Sequence, residues 1–441
     1  MKNNSKRSLS AVLLGTSIAA ASGSVSAYDL YSRNGSELNL DVEAVVGVFT
    51  SQENYDAIGS KTEGGGSDWQ EGYIKYGLSG SHTYGKNGTA LYGAINLVSS
   101  ATWGDGDAAG FTLGDESETE LEDAYLGWRS GNLMPALGQD GLDISFGRQN
   151  FVIGDGFLIN GDALNFGNAF DGSLNRGGGY WLAPRKAFDQ TAIVRIGGSE
   201  GARADVFWLE SDNVAQYEME LAGINAEYVL PGGTFGATYI KGLNAEHSDA
   251  LGSARDGQET ISLRYQGNAG VENLFLSGEY VAQEQGNNSS DSNAAWYLEA
   301  GWNFSDIVWS PSINYRYATF DNGFDPLFYG FSRGYGTWFQ GEVAASYAGL
   351  FNTGMDVHHV AIKAQPSENL SLGALFFDFT DNAGNGRNDS QEINLYAEWV
   401  ATPNLIISPL VGFYSPDKSN SSQIGSDDTN VYGQVVAIVP F

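Results

Sequence analysis

Cysteine is absent from the 441 residues, histidine occurs only four times, and cations are few, with 22 Lys+Arg against 53 Asp+Glu. Without cysteine there is no disulfide scaffold, no thiolate metal site and no cysteine nucleophile. A net charge of −31 leaves no basic surface to neutralise phosphates, which excludes a nucleic-acid partner. Charged residues reach only 17%, below the usual ~25%. Long apolar runs are missing too: no segment beyond the N-terminus approaches the ~18 residues that a membrane-spanning helix needs. Helical periodicity is almost absent. What is plentiful is glycine, 59 residues or about 13% against a usual ~7%. Aromatic side chains reach 13% and hydrophobic residues 42%, too many for a disordered chain.

The N-terminus reads as a secretory signal. Lys2, Lys6 and Arg7 form its basic start, Leu9 to Ala21 its apolar stretch, and Val25-Ser26-Ala27 supplies small residues for cleavage after Ala27. The segment 1–27 is therefore assigned as a signal peptide and 28–441 as one domain. The alternative, an N-terminal membrane anchor, is disfavoured because the apolar run is short and broken by serine.

Along the rest of the chain, apolar and polar residues alternate in segments of about ten, joined by short and long connections in turn. Leu38, Leu40, Val42, Ala44, Val46 and Val48 share one face of the first segment, while Asn39, Asp41 and Glu43 share the other. In 294–304, Trp296, Leu298, Ala300, Trp302 and Phe304 oppose Tyr297, Glu299, Gly301 and Asn303. Trp296 and Phe304 would stand roughly 26 Å apart along a strand. At a tilt of ~40° that spans about 20 Å, near the apolar band of an outer-membrane barrel with aromatics at both interfaces. The tight connections include Gly85-Lys86-Asn87-Gly88, Pro231-Gly232-Gly233 and Thr402-Pro403-Asn404; the long ones include Asp105 to Thr119 and Asn244 to Gly257. Short turns at one end and long loops at the other are the mark of a transmembrane barrel.

The expected fold is thus all-β, a transmembrane antiparallel up-and-down β-barrel. It has eighteen strands, with sixteen as the alternative count; the first lies at 37–50 and the last at 430–441. Stretch 338–350 is read as outer loop, because another strand would make the count odd. In the last segment Val431, Gly433, Val435, Ala437, Val439 and Phe441 alternate, an apolar face ending in an aromatic that suits recognition for barrel assembly. Only Tyr28 to Ser36 precede the first strand, which leaves no room for a plug domain and argues against an energy-coupled transporter.

Three groups of residues are candidates for function. Parity places Arg129, Arg195, Arg203, Arg264, Arg316 and Lys363 on the lumen side, with Glu279, Glu299 and Glu392 beside them, where they would tune selectivity or pair to rigidify the wall. Arg148 falls on the outward parity and needs a bulge or strand end near residue 147 to join them. The long loop 149–186 carries Asp155, Asp162, Asp171, Arg176, Arg185 and Lys186 among aromatics too apolar for open solution, including Phe157 and Phe170. It is expected to fold inward as a constriction, filtering solutes by charge and size. A second long loop, 321–353, bears Phe328, Tyr329, Arg333, Tyr335 and Trp338. It is expected to turn toward the pore, as an aromatic slide for sugar rings or as a loop packed on its own aromatics. Acids of the outer loops, Asp105 to Glu120 and Asp427-Asp428, suit a solvated surface or cation bridges to lipopolysaccharide.

An enzyme is not expected. His82, His247, His358 and His359 form no zinc spacing, no Gly-x-Ser-x-Gly elbow occurs, and nothing in the sequence marks a serine partner for His82 or His359. No pattern asks for a cofactor or a metal; Gly104-Asp105-Gly106-Asp107 lacks calcium-loop spacing.

Three segments, LEDAYLGW at 121–128, SFGRQNFVIGDG at 145–156 and FDPLFYGF…YGTWFQGE within 324–342, resemble porins related to the alginate-export family of eighteen-stranded outer-membrane barrels. The resemblance implies a passive channel with lumenal arginines and inward-folded loops, and it carries over Arg148 of the GRQ segment and Asp155. The expected function is a bacterial outer-membrane porin, a passive diffusion channel for small hydrophilic solutes or ions. The alternatives are an export pore for an acidic polysaccharide and a loop-plugged barrel with a binding or adhesion role. Its surroundings would be outer-membrane lipid and lipopolysaccharide, and its assembly a homotrimer or a monomer.

Overall fold

The computed structural model describes residues 27–55, 65–169, 171–286, 291–330, 333–344, 352–382, 384, 386, 388–417 and 427–440. Residues 1–26, nearly all of the segment expected to be a signal peptide, Phe170, the last residues of 338–350 and the terminal Phe441 lie outside the described residues. Among the described residues the strands in order are β1 Ala27–Arg33, β2 Ser36–Ser51, β3 Ser67–Tyr84, β4 Thr89–Gly104, β5 Ser117–Arg129, β6 Leu142–Arg148, β7 Gln190–Ile196, β8 Gly201–Glu210 and β9 Glu220–Leu230. They continue as β10 Gly233–Asn244, β11 Glu259–Gly267, β12 Leu274–Glu284, β13 Ser292–Asn303, β14 Ser312–Phe320, β15 Met355–Ser367, β16 Leu370–Asp381, β17 Ser390–Thr402, β18 Leu405–Pro416 and β19 Asn430–Pro440.

From β2 to β19 each strand pairs antiparallel with the next, and β19 returns to β2 from Tyr432↔Ser51 to Pro440↔Glu43. Eighteen strands therefore close one barrel, the count expected from the alternation. Closure removes the free edges that a flat sheet would expose. Stretch 338–344 is loop, as expected.

One further strand, β1, is not among the eighteen expected. It pairs with the start of β2, from Arg33↔Ser36 to Ala27↔Asp41, and so lies beyond the point where β19 ends at Glu43. Its turn, Asn34-Gly35, has φ of 54° and 76°. Two successive positive φ values are what a two-residue hairpin matched to strand twist requires. The Asn-Gly pair is a legible hairpin signal. β1 covers the part of the β2 edge that the shorter β19 leaves open.

Side-chain parity follows the pleat. Val46, Val48, Ile261, Leu263, Leu298, Trp302, Ile393 and Leu395 are exposed on the outer face, the apolar surface that a lipid-embedded wall needs. No helix of the described residues is long and apolar enough to cross a membrane. At the short-turn end, Pro231-Gly232, Glu368-Asn369 and Pro403-Asn404 join strands in two residues, while 130–141 and 304–311 are longer turns.

The interior is packed at the long-loop end. The described residues of segments 149–189, between β6 and β7, and 321–354, between β14 and β15, turn into the barrel and meet two apolar clusters. In one, Phe157, Ile159, Phe328 and Trp338 pack on Phe207, Val281 and Tyr297 of the wall. In the other, Tyr180 and Tyr335 join Phe49, Trp69, Phe377 and Tyr432. The two segments also bond to each other through main chain: Phe328 N–H donates to Leu158 O at 2.9 Å, Asn160 N–H to Phe328 O at 2.7 Å and Gly330 N–H to Gly156 O at 3.0 Å.

Candidate functional site

The inward charges divide into three groups by what covers them. Toward the short-turn end, β5 to β11 bring Arg129, Arg195, Arg203 and Arg264 to the inner face. Arg129 Nε lies 3.2 Å from Asp143, Arg195 Nε 3.9 Å from Asp205, and Arg203 Nη2 2.5 Å from Glu227, which Arg264 also contacts. Cross-strand register explains these pairs: Arg129 stands opposite Asp143, Arg195 opposite Asp205 and Arg203 opposite Glu227. In each of these three pairs the guanidinium is more exposed than the acid: 46% against 15% for Arg129–Asp143, 38% against 25% for Arg195–Asp205 and 44% against 8% for Arg203–Glu227. A cavity of about 560 Å³ opens here, lined by Asp143, Arg195, Arg203, Asp205, Glu227 and Arg264, with Val152, Gly154 and Asp155 of the inward segment on its wall.

At mid-barrel, Arg316, Glu279 and Glu299 face inward but are buried. Arg316 stands over the Trp338 ring at 4.4 Å and donates to Gly336 O at 2.8 Å. Arg333 Nη2 reaches Asp155 at 3.0 Å and Glu299 at 2.8 Å, and Asp155 also accepts from Tyr297 and from Trp338 Nε1 at 3.1 and 3.2 Å. Burial works against the Arg333 charge, yet Glu299 and Asp155 outweigh it and keep the guanidinium firmly protonated. Here inward parity and access to water come apart: the two loops cover the wall. For the same reason Phe328 and Trp338, fully buried, and Tyr335, nearly so, are core side chains, and they do not offer open ring faces to a sugar. Tyr329 is half-buried against Phe339.

Near the long-loop end a third group forms. Arg148 Nη1 lies 2.5 Å from Asp189, and three guanidiniums converge on Asp212: Arg148 at 2.9 Å, Arg176 at 3.3 Å and Arg185 at 3.6 Å. Arg176 also pairs with buried Asp162 at 3.2 Å, which accepts from Ser211 and Asn213. Arg148 reaches this cluster because Gly147, at φ 113°, turns the end of β6 inward; a side chain there would meet Ala124 O at 2.3 Å. Burial pushes the Arg185 guanidinium down, and Arg176 beside it adds to that. Asp212 is held below the usual carboxylate range: burial opposes its charge, but Arg176 and Arg148 prevail. Asp171 stands apart, exposed on a turn at φ 54°.

Lys186 and Lys363 are half-buried and make no ion pair among the described residues. Burial pushes the Lys186 ammonium down, with Glu43 and Glu122 acting against it. Glu392 does not line open space; it is fully buried and accepts from main-chain N–H groups of the second loop. The sequence pattern does not single out Asp143, Asp189, Asp212, Glu71 or Glu122. Glu122 is hidden by a β-bulge: Asn96 pairs with Asp123 and Leu97 with Leu121, so Glu122 has no partner of its own. His82 proves to have a serine neighbour, Ser36 Oγ at 2.7 Å from Nδ1, but no carboxylate among the described residues orients its ring. No cluster of metal-ligating residues occurs among the described residues.

No curated protein matches the chain in sequence. Among solved structures, a BenF-like porin from Pseudomonas fluorescens Pf-5 superposes with a TM-score of 0.60 at 8% identity, covering 92% of this chain and 98% of its own. OccAB4 of Acinetobacter baumannii gives 0.56 at 10% identity over 92% and 98%, and OprD of Pseudomonas aeruginosa 0.52 at 9% over 91% and 94%. At such identities the likeness is one of fold. The family model for alginate export matches residues 99–394, more than half of the chain. With its closed eighteen-stranded porin barrel, the chain belongs to the alginate-export family.

Proposed function

We propose that the protein is a passive channel of the outer membrane for small hydrophilic solutes, with its short turns in the periplasm and its long loops outside. The observation that carries this reading is the polar cavity of about 560 Å³ at the short-turn end, roofed by the inward loop at Val152 to Asp155. Charge-lined, water-accessible space next to a constriction selects by size and sign. No energy-coupling step is needed, since solutes move down their gradients.

A second reading, export of an acidic polysaccharide, draws on the exposures of Arg129, Arg195 and Arg203, whose guanidiniums are more exposed than the acids that pair with them. A surface can present cations to a solute even when its net charge is close to zero. Single-channel conductance in a planar bilayer, with the reversal potential under a salt gradient, separates the readings. Conductance with cation preference supports the small-solute porin and counts against the exporter. Anion preference, with block by a polyuronate added on the short-turn side, favours the exporter. A barrel that conducts nothing overturns both and leaves a loop-plugged binding protein.

A further inference from the structure

Three buried wall carboxylates share one unusual arrangement. Glu71 of β3 accepts from Trp181 and Leu182 N–H at 3.1 and 2.9 Å. Glu122 of β5 accepts from Lys186 and Ala187 N–H at 2.8 and 3.1 Å. Glu392 of β17 accepts from Val343 and Ala344 N–H, both at 2.8 Å. In every case two successive amides of an inward loop converge on one carboxylate. All three carboxylates are withdrawn from water, so none can act on a solute directly.

We infer that Glu71, Glu122 and Glu392 are positioning residues that latch the two inward loops against the wall and thereby set the width of the channel. The inference rests on the channel reading proposed above. Apolar packing alone does not set the depth of a loop, because it is non-directional. Hydrogen bonds from two consecutive amides to one carboxyl group are directional, and the paired N–H groups form a concave donor site around its oxygens. The same bonds satisfy main-chain N–H groups that would otherwise be buried without a partner. Two latches lie close together on the first loop and one grips the second, and the loops bond to each other, so release at one point loosens both.

The chain holds no cysteine, so a single introduced thiol reports loop docking. Ala187 and Ala344 are fully buried, and A187C and A344C should resist a membrane-impermeant maleimide in the otherwise unchanged protein. Adding E122A to A187C, or E392A to A344C, should speed labelling about tenfold or more, because the docked loop then opens more often. The matching Glu→Gln variants, which keep an acceptor oxygen, should recover part of the protection. In bilayers the Ala variants should show a larger or noisier unitary conductance. Each variant is checked for a folded barrel by its heat-dependent gel mobility. Where an Ala variant fails to fold, the Gln variant carries the test through its intermediate labelling rate. Unchanged labelling and unchanged conductance in folded variants overturn the latches. A wild-type protein that never conducts overturns the channel reading instead, and the labelling rates still decide on the latches.

Discussion

Arg203–Glu227 and Arg255–Asp325 are both arginine–carboxylate pairs on the inside of one barrel, and they do different work. The first lies toward the short-turn end, its guanidinium half in water beside an open cavity. The second joins a short helix, Ala250–Arg255, to the inward loop through two bonds of 2.8 Å, with both side chains almost fully buried. In the open half, high dielectric weakens the pair and leaves its cation to face solutes. In the filled half, low dielectric strengthens it and makes either partner costly to leave alone. Solvent access, more than residue type, decides whether such a pair shapes a field or fastens a loop.

The largest effect should come from breaking the buried pair. D325A strands Arg255 in the packed half and should destabilise that region by about 3–5 kcal/mol. Urea unfolding followed by heat-dependent gel mobility measures this, and a loss below about 1 kcal/mol would erase the contrast with the exposed pairs.

A smaller, pH-dependent effect should come from Glu342, on the second inward loop. Burial pushes its carboxyl up to about 8; the Gly336 N–H it accepts works against that, and Glu392 adds to the rise. Tyr335 and Tyr396 also lie within its electrostatic reach. A carboxyl raised on docking binds its proton more tightly when docked. Its contribution is therefore fully present below the ordinary value of 4.5 and is lost as pH rises through about 8. Docking of 333–344, followed by Trp338 fluorescence or by proteolysis, should weaken between pH 5 and pH 9 on the order of that shift. E342Q should flatten the profile; an unchanged profile in E342Q would assign the dependence to another group.

The smallest effect on stability should come from the exposed pairs. R203A or R129A should change stability by under about 1 kcal/mol, yet shift the reversal potential toward cations, since each guanidinium is more exposed than the acid it pairs with. A large stability loss without any change in selectivity would mean that both halves of the lumen behave alike.

Most of the wall is legible in the amino-acid sequence. Strand alternation is a local property, so eighteen segments and their inward and outward faces can be read one at a time. Arg129, Arg195, Arg203 and Arg264 stand where parity places them. The failures are equally physical. β1 is passed over although its Asn34-Gly35 turn is a hairpin signal, because its seven residues, Ala27–Arg33, are shorter than the alternation of about ten residues by which the other strands are read. Glu122 escapes because a bulge breaks the two-residue period on which parity relies.

The sequence by itself determined the barrel: its strand number, its lipid-facing apolar band and the charges turned inward, because each follows from alternation within about ten neighbouring residues. Only the tertiary structure decided what those inward charges do. Glu71 meets amides 110 and 111 positions further along the chain, and Arg333 meets Asp155 across 178. No local pattern encodes such meetings. They arise when closure of the barrel creates an enclosed space, and two apolar loops enter it to escape water and find partners there for their amides.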